Sequence, residues 1–172
     1  HWFFGDLKKV SAQISTSITK RPKSNKMLDV TSEDICLANI EIENYAGDSL
    51  PCQVSLSSVS KNGSGFNLEI YGSNGSLFLN SNNLKDYVHG FKLIYSDEKN
   101  NLNNINPKDK FIFKKTWSDG RIAPVKRIQS LWAESIIKGT PIVPGLSEGL
   151  LSQKVSEAIK QSAYSGFTTQ IR

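Results

Sequence analysis

The 172 residues are 38% hydrophobic and 22% charged, an ordinary globular balance with enough apolar matter for a sizeable core. No apolar run approaches the ~20 residues that span a bilayer, and Trp2-Phe3-Phe4 is too short and wrongly flanked for a signal peptide, so one folded, soluble domain without a membrane partner is expected. A net charge of +5 raises the question of nucleic acid, but Lys and Arg are dispersed outside three small clusters, at Lys20-Arg21 with Lys23 and Lys26, at Lys108 to Lys115 and at Lys126-Arg127; the first two read as solvated loop and edge-strand charges, and no nucleic-acid partner is expected.

From Leu7 to Ser17 the side chains alternate, Val10, Ala12 and Ile14 against Ser11, Gln13 and Ser15, the period of a half-buried strand. Thr19 to Asp29 carries Arg21-Pro22, Lys and Ser without periodicity and reads as a connecting loop. Asp34 to Ile42 alternates again, with Cys36, Ala38, Ile40 and Ile42 opposite Leu37, Asn39 and Glu41. Asn44 to Ser49 makes a turn, after which Cys52, Val54 and Leu56 oppose Gln53, Ser55 and Ser57 in a strand that pairs back as an antiparallel hairpin. Phe66, Leu68 and Ile70 continue the pattern, and the chain returns through Leu77 and Leu79 after Gly72-Ser73-Asn74-Gly75. Gly90 to Tyr95 and Lys110 to Lys115 read as edge-type strands, separated by an Asn-rich loop from Ser96 to Asp109.

Helical spacing comes late. Ile128, Leu131, Trp132, Ser135 and Ile136 form one stripe that Gly139 terminates. A second helix is expected from Ser147 as N-cap, with Glu148 in the first turn, a stripe of Leu151, Val155, Ala158, Ile159 and Ser162, and Gly166 at its end. Short turns between sequential strands argue for a largely antiparallel, open-faced β-sheet, and the two stripes need its apolar side, which makes the fold class α+β, a two-layer sandwich with helices on one face. The other face is Ser, Gln, Asn and Glu; it is either solvated or the surface on which another sheet packs, giving a homo-oligomer.

Cys36 and Cys52 sit in apolar-alternating runs as small hydrophobes, without a CxxC or a neighbouring His, so no metal or redox role is expected and a reducing cytoplasm fits. Asn62-Gly-Ser64 and Asn74-Gly-Ser76 match the glycosylation pattern and are read as turns.

Several joints resemble the C-terminal domain of the Gfo/Idh/MocA oxidoreductases. Trp2-Phe3-Phe4-Gly5-Asp6 ahead of the first strand is similar to the family's W-x-x-G-(D/E). Leu68-Glu69-Ile70-Tyr71-Gly72-Ser73-Asn74-Gly75-Ser76-Leu77 resembles its E-I-x-G-T-x-G-x-L hairpin, where Gly72 and Gly75 suit a tight turn. Trp132-Ala133-Glu134-Ser135-Ile136 to Gly139-Thr140-Pro141 resembles F-x-x-A-I-x-x-G-x-x-P. Gly149-Leu150-Leu151 through Val155, Ala158, Ser162-Ala163 and Gly166 resembles the final helix, with Glu148 where the family has Asp. Together these cover nearly all of residues 1–172.

The resemblance implies a sugar-type dehydrogenase whose N-terminal Rossmann domain, with its G-x-G-x-x-G phosphate loop, is absent from this chain; Gly63-x-Gly65 is followed by a strand, so this piece is expected to bind no cofactor itself, while the intact enzyme uses NAD or NADP. It implies oxidation of a sugar, inositol or nucleotide sugar, hydride passing to the nicotinamide while a histidine supported by Lys and Asp takes the hydroxyl proton. Those three groups fall before residue 1. His1 is out of register, an incidental surface residue or a cloning-tag remnant, and His89 reads as structural, so no catalytic residue is expected here. The expected contributions are a subunit interface on the open face and a wall of the sugar-like substrate's pocket, for which Lys61, Asn62, Ser64, Trp117 and Arg121 are candidates; exposed loop residues are the plainer reading of all five. A Lys or Arg there suits an anionic substrate. The alternative is a free-standing, non-catalytic binding or assembly module using the open sheet face.

Overall fold

A computed structural model describes residues 1, 3–83, 90–99, 101–106 and 118–172. They form two compact units, His1–Lys61 with Val143–Arg172, and Asn62–Ile142.

The first unit holds β1 (Asp6–Ser15), β2 (Lys20–Lys23), β3 (Lys26–Asp29), β4 (Ile35–Glu43) and β5 (Ser49–Ser57). The second holds β6 (Phe66–Gly72), β7 (Gly75–Ser81), β8 (Lys92–Asp97), β9 (Leu102–Ile105) and helix α1 (Ile122–Lys138). The chain then contributes α2 (Leu146–Ser165) and β10 (Thr169–Gln170) to the first unit.

In the first unit an antiparallel sheet runs in the order β10-β1-β4-β5, with β5 on one edge. Its rows follow the two-residue period of the sequence: Val10, Ile40 and Cys52 are cross-strand partners, as are Ala12, Ala38 and Val54, while the intervening row is Ser11, Asn39 and Gln53. Val10, Ala38, Ile40 and Ile42 are buried on the apolar side together with Ala158 of α2. Removing the fully buried Val10 side chain from water contributes about 2 kcal/mol.

Helix α2 lies on β1 and β10. Leu151, Val155 and Ile159 are half-buried along its inner stripe, and Ala158 and Ser162 are fully buried. Its start differs from the expected Ser147: Gly145 is the N-cap, and its N–H donates to the Glu148 carboxylate at 2.6 Å. The acidic side chain three residues into the helix therefore supplies half of a capping box on its own. Gly166 closes the helix at φ +75°, with its N–H on the Ser162 carbonyl at 2.9 Å.

The inner edge of β1 shows why Ser162 is the residue at that position. On the side facing β10, the Lys8 carbonyl accepts the Ile171 N–H at 2.8 Å, but β10 is two residues long and ends its pairing at Val10. The next outward N–H on β1, that of Ala12, donates to Ser162 Oγ at 3.0 Å, and the same hydroxyl donates to the Phe167 carbonyl at 2.7 Å. One side chain 1% exposed thus continues the ladder where the strand has run out.

The second unit contains an antiparallel sheet in the order β6-β7-β8-β9. Ser73-Asn74 is the two-residue loop between β6 and β7. Of the two glycines flanking it, Gly75 is the constrained one, at φ +144° with a Cβ site 2.2 Å from the Ser96 carbonyl oxygen; a Cβ on Gly72 would meet nothing nearer than 3.4 Å. Helix α1 ends at Gly139, φ +64°, as the sequence indicates, but begins six residues before Ile128, Pro124 falling in its first turn where no intrahelical N–H is lost. None of its residues is buried among those described, and Ile128, Leu131, Trp132 and Ile136 of the apolar stripe are exposed.

Two segments expected to be loops contain strands. Thr19 to Asp29 is the β2–β3 ribbon, and Leu102–Ile105, inside the Asn-rich stretch, pairs with β8. The strand expected over Gly90 to Tyr95 begins two residues later, at Lys92, while the one expected over Lys110 to Lys115 lies outside the described residues.

Ser162→Ala leaves the Ala12 N–H buried without an acceptor, so it should lower unfolding stability by about 1–3 kcal/mol. Urea titration is the check, with the midpoint shifted and the m-value unchanged.

Candidate functional site

Two surfaces come into question: the loop and helix-start residues expected to line a substrate pocket, and the open face of the β10-β1-β4-β5 sheet. Lys61 closes the first unit and Asn62 and Ser64 open the second, in the connection between β5 and β6; all three are exposed. Asn62 adopts φ +54°, and Ser64 Oγ accepts a hydrogen bond from the Asn67 amide at 3.0 Å. Gly65, at φ +86°, packs its Cα against the Ser81 carbonyl so closely that a Cβ would lie 2.2 Å from that oxygen. This fixes where the chain enters β6, and Gly63-x-Gly65 leads into a strand rather than the N-terminus of a helix, which is unsuited to cradling a pyrophosphate.

Arg121 is the N-cap residue of α1, and its guanidinium grips Asp119 in a fork: Nη2 donates to Oδ2 at 2.6 Å and Nε to Oδ1 at 2.9 Å. The Arg121 side chain beside it holds the Asp119 carboxyl down at about 2. Trp117, like His89 and Trp2, lies outside the described residues. His1 faces its own neighbourhood, its Nδ1 lying 3.1 Å from the Gly5 carbonyl.

The open sheet face is better defined. Its central row is Ser11, Asn39 and Gln53, and the next is Gln13, Leu37 and Ser55, with Leu37 47% exposed in the middle. Toward the start of β1 a bulge between Leu7 and Lys9 brings two successive lysines to the same end, where Lys9 pairs with Glu41 at 2.8 Å and Lys8 with Glu43 at 3.0 Å. The Glu43 carboxylate raises the Lys8 pKa, through its hydrogen bond first and then its charge. A shallow cleft of about 530 Å³ lies over this end, lined by Lys9, Ser11, Asn39, Glu41 and Gln53 among others. A second, of about 640 Å³, runs between α2 and β10 past Lys154, Glu157, Gln161 and Arg172. Of the expected substrate residues that are described, Lys61, Asn62, Ser64 and Arg121 line neither cleft. The bulge that concentrates these charges was not legible from alternation, although Lys8-Lys9 breaking the polar period was its trace.

At the opposite end of the β1–β4 ladder stands Asp34, which the sequence offered only as a strand start. It is 7% exposed, and its carboxylate accepts the Ser17 N–H at 2.7 Å and the Ile18 N–H at 2.8 Å. Its carbonyl takes the Ser58 N–H at 2.9 Å, so one residue ties the root of the β2–β3 ribbon to the end of β5. Glu33 beside it accepts the Tyr164 hydroxyl of α2 at 2.8 Å. Among the described residues there is no cluster of His, Cys, Asp and Glu that would hold a metal, and no helix long and apolar enough to cross a membrane.

These observations define a class: an α+β domain of antiparallel sheets with one face left open, carrying no phosphate-binding turn among its described residues. The whole of residues 1–171 matches the model of the oxidoreductase family C-terminal alpha/beta domain, and the chain belongs to that family, the Gfo/Idh/MocA oxidoreductases. It is 37% identical over 165 residues to an uncharacterized oxidoreductase of Synechocystis sp., covering 94% of this chain and 43% of that protein. Among solved structures it resembles levoglucosan dehydrogenase in complex with NADH and L-sorbose, with a TM-score of 0.69 at 15% identity, over 97% of this chain and 45% of that one. It also resembles a super-repressor mutant of Gal80p from Saccharomyces cerevisiae, with a TM-score of 0.68 at 13% identity, over 97% and 45%. The chain therefore spans less than half the length of the relatives it matches.

The backbone N–H groups of Ser17 and then Ile18 hold the Asp34 carboxyl below the ordinary aspartate value. Being depressed in the folded state, it contributes stability that is complete above the unfolded value of about 3.9 and lost as pH falls through the lower folded value. Asp34→Asn should remove that contribution at neutral pH and flatten the acid limb of the stability curve below about pH 4, as read from urea midpoints between pH 2 and 7.

Proposed function

We propose that this chain is the C-terminal, substrate-side half of an NAD- or NADP-dependent oxidoreductase acting on a sugar, an inositol or a nucleotide sugar. The observation that carries the reading is the family match over residues 1–171 in a chain that covers only 43% of a 37%-identical oxidoreductase. A fold shared with levoglucosan dehydrogenase, whose structure holds NADH and L-sorbose, supports the cofactor and the sugar-like substrate.

In this reading the nucleotide and the proton-accepting histidine belong to a separate N-terminal Rossmann domain, which is this domain's partner in the intact protein. Residues 1–172 bind no nucleotide alone. Lys61, Asn62, Ser64, Trp117 and Arg121 form one wall of the substrate pocket, where the cations favour an anionic or phosphorylated sugar. The fork to Asp119 orients the Arg121 guanidinium plane, so that aspartate acts as its holder. The open sheet face, small and mostly uncharged at its centre, is the subunit interface of a homo-oligomer. The two thiols Cys36 and Cys52, both free, suit a reducing cytoplasm.

A second reading is a non-catalytic assembly module, and the fold shared with a Gal80p super-repressor supports it. The two readings separate on one protein. With the Rossmann domain attached, a panel of sugars and sugar acids should reduce NAD or NADP; Arg121→Ala should raise KM about tenfold with kcat little changed, as expected for loss of uniform substrate binding. The 172-residue chain alone should show no heat of NADH binding. Micromolar NADH affinity in this chain, or no turnover by the intact protein with any sugar, would count against the dehydrogenase reading.

A further inference from the structure

Strand β10 is paired on one side only. Ile171 donates inward to the Lys8 carbonyl at 2.8 Å, and the next cross-strand pair is Lys9 with Gln170. In an antiparallel ladder the pair beside a bonded one turns its amides away, so the N–H and carbonyl of Gln170 face outward, and the N–H of Arg172 repeats that direction two residues on. Among the described residues neither N–H has an acceptor. The Ser162 hydroxyl completes the inward side of this edge, between Ala12 and Phe167, and leaves the outward side untouched.

Helix α2 walls that outward side. Lys154, Glu157 and Gln161 are spaced by three and four residues, so they share one flank of the helix, next to the buried Ala158 and Ser162. This flank and the strand residues Gln170 and Arg172 bound the cleft of about 640 Å³ between α2 and β10. Its volume lies within the roughly 300–1,000 Å³ of ligand sites. A row of backbone donors on one wall and a helix flank on the other suits an extended chain: main-chain bonds to the strand hold it, and the helix side chains read every second residue. On that flank Lys154 and Glu157 carry opposite charges, and among the described residues neither is ion-paired. The nearest ladder charges are matched among themselves, Lys9 with Glu41 and Lys8 with Glu43.

We propose that this cleft is a docking groove for an extended segment of a partner polypeptide, which adds as a strand to the outer edge of β10 and sets a carboxylate against Lys154 and, two residues away, a cationic side chain against Glu157. Thr168 to Arg172 gives an edge of about five residues, roughly 17 Å, so the groove holds one short segment. Backbone pairing supplies attachment without sequence preference, and the Lys154–Glu157 order supplies the selection. The inference is independent of the dehydrogenase reading, since neither nucleotide nor sugar takes part in it.

The test is selection of a displayed library of random nonapeptides on the 172-residue chain. Enriched peptides should carry an acidic and a basic residue two positions apart and bind with a Kd of about 10–100 µM. On binding, amide hydrogen exchange should slow at least about tenfold at Gln170 and Arg172. Gln170→Pro deletes the outward donor without removing an internal hydrogen bond, and should weaken binding at least about tenfold with the urea midpoint unchanged. Lys154→Glu with Glu157→Lys keeps the composition of the flank, and selection on that variant should enrich the two charges in reverse order. Both helix positions are exposed, so the exchanged flank decides the matter even where proline disturbs the strand. No enriched binder, protection at other amides, unchanged affinity in a folded Gln170→Pro chain, or the same charge order on the exchanged flank overturns the proposal. A wild-type chain that self-associates and is dissociated by Gln170→Pro makes a second copy the occupant and overturns it as well. Arg121→Ala should leave peptide binding unchanged, which keeps this outcome separate from that of the substrate-pocket reading.

Discussion

The first unit depends on a backbone amide that its own sheet does not satisfy. Because β10 is only two residues long, β1 reaches Ala12 with an N–H directed at the space a longer strand would fill, and a buried donor without an acceptor would cost more than most single contacts contribute. Ser162 meets that demand from the helix. Its hydroxyl accepts from β1 and donates to the chain just beyond α2, so the helix is placed along the strand by a polar contact, while Ala158, one turn earlier, allows close approach to Val10 and Ile40. The register of roof and sheet therefore follows from one hydroxyl and one small side chain, and a larger apolar residue at 162 would satisfy neither partner.

Given that anchor, the two faces of the sheet separate by chemistry. The inner rows are Val, Ile, Ala and Cys, and the outer rows are Ser, Asn and Gln with Leu37 among them. Charge is confined to the ends of the ladder, where the Leu7/Lys9 bulge and the Asp34 corner interrupt the regular alternation. The chain matches the family's C-terminal domain over residues 1–171 and covers 43% of its 37%-identical relative; within it, one sheet face and the apolar stripe of α1 are exposed.

The alternating strands, the antiparallel order and the α2 stripe were legible because each rests on side-chain period, which the sequence states directly. Both glycine helix ends were legible for the same reason, since Gly139 and Gly166 follow the last apolar position of their stripes. The β2–β3 ribbon was not. Its residues are Lys, Arg and Pro with one apolar pair, and it is strand because the chain must turn back between β1 and β4, with Asp34 capturing two amides at its base. Leu102–Ile105 was hidden by its asparagines, which read as turn formers until β8 supplies a partner. Gly145 displaced Ser147 as the cap because Glu148 reaches back to its amide. Of the residues expected to line a pocket, Arg121 was read in the sequence as a candidate substrate contact or an exposed loop residue, and its fork to Asp119 is a matter of two residues folding onto each other.

The outer strand β5 has a consequence for handling the molecule. Along nine residues it alternates Leu50, Cys52, Val54 and Leu56 with Ser49, Pro51, Gln53, Ser55 and Ser57, and among the described residues its far side has no neighbour in its own sheet. Such a rim is a template on which loose chain can stack, growing fibrils or entangling subunits during refolding. Pro51 supplies no backbone donor near one end, so the stretch of the rim with every backbone N–H in place runs from Cys52 to Ser57.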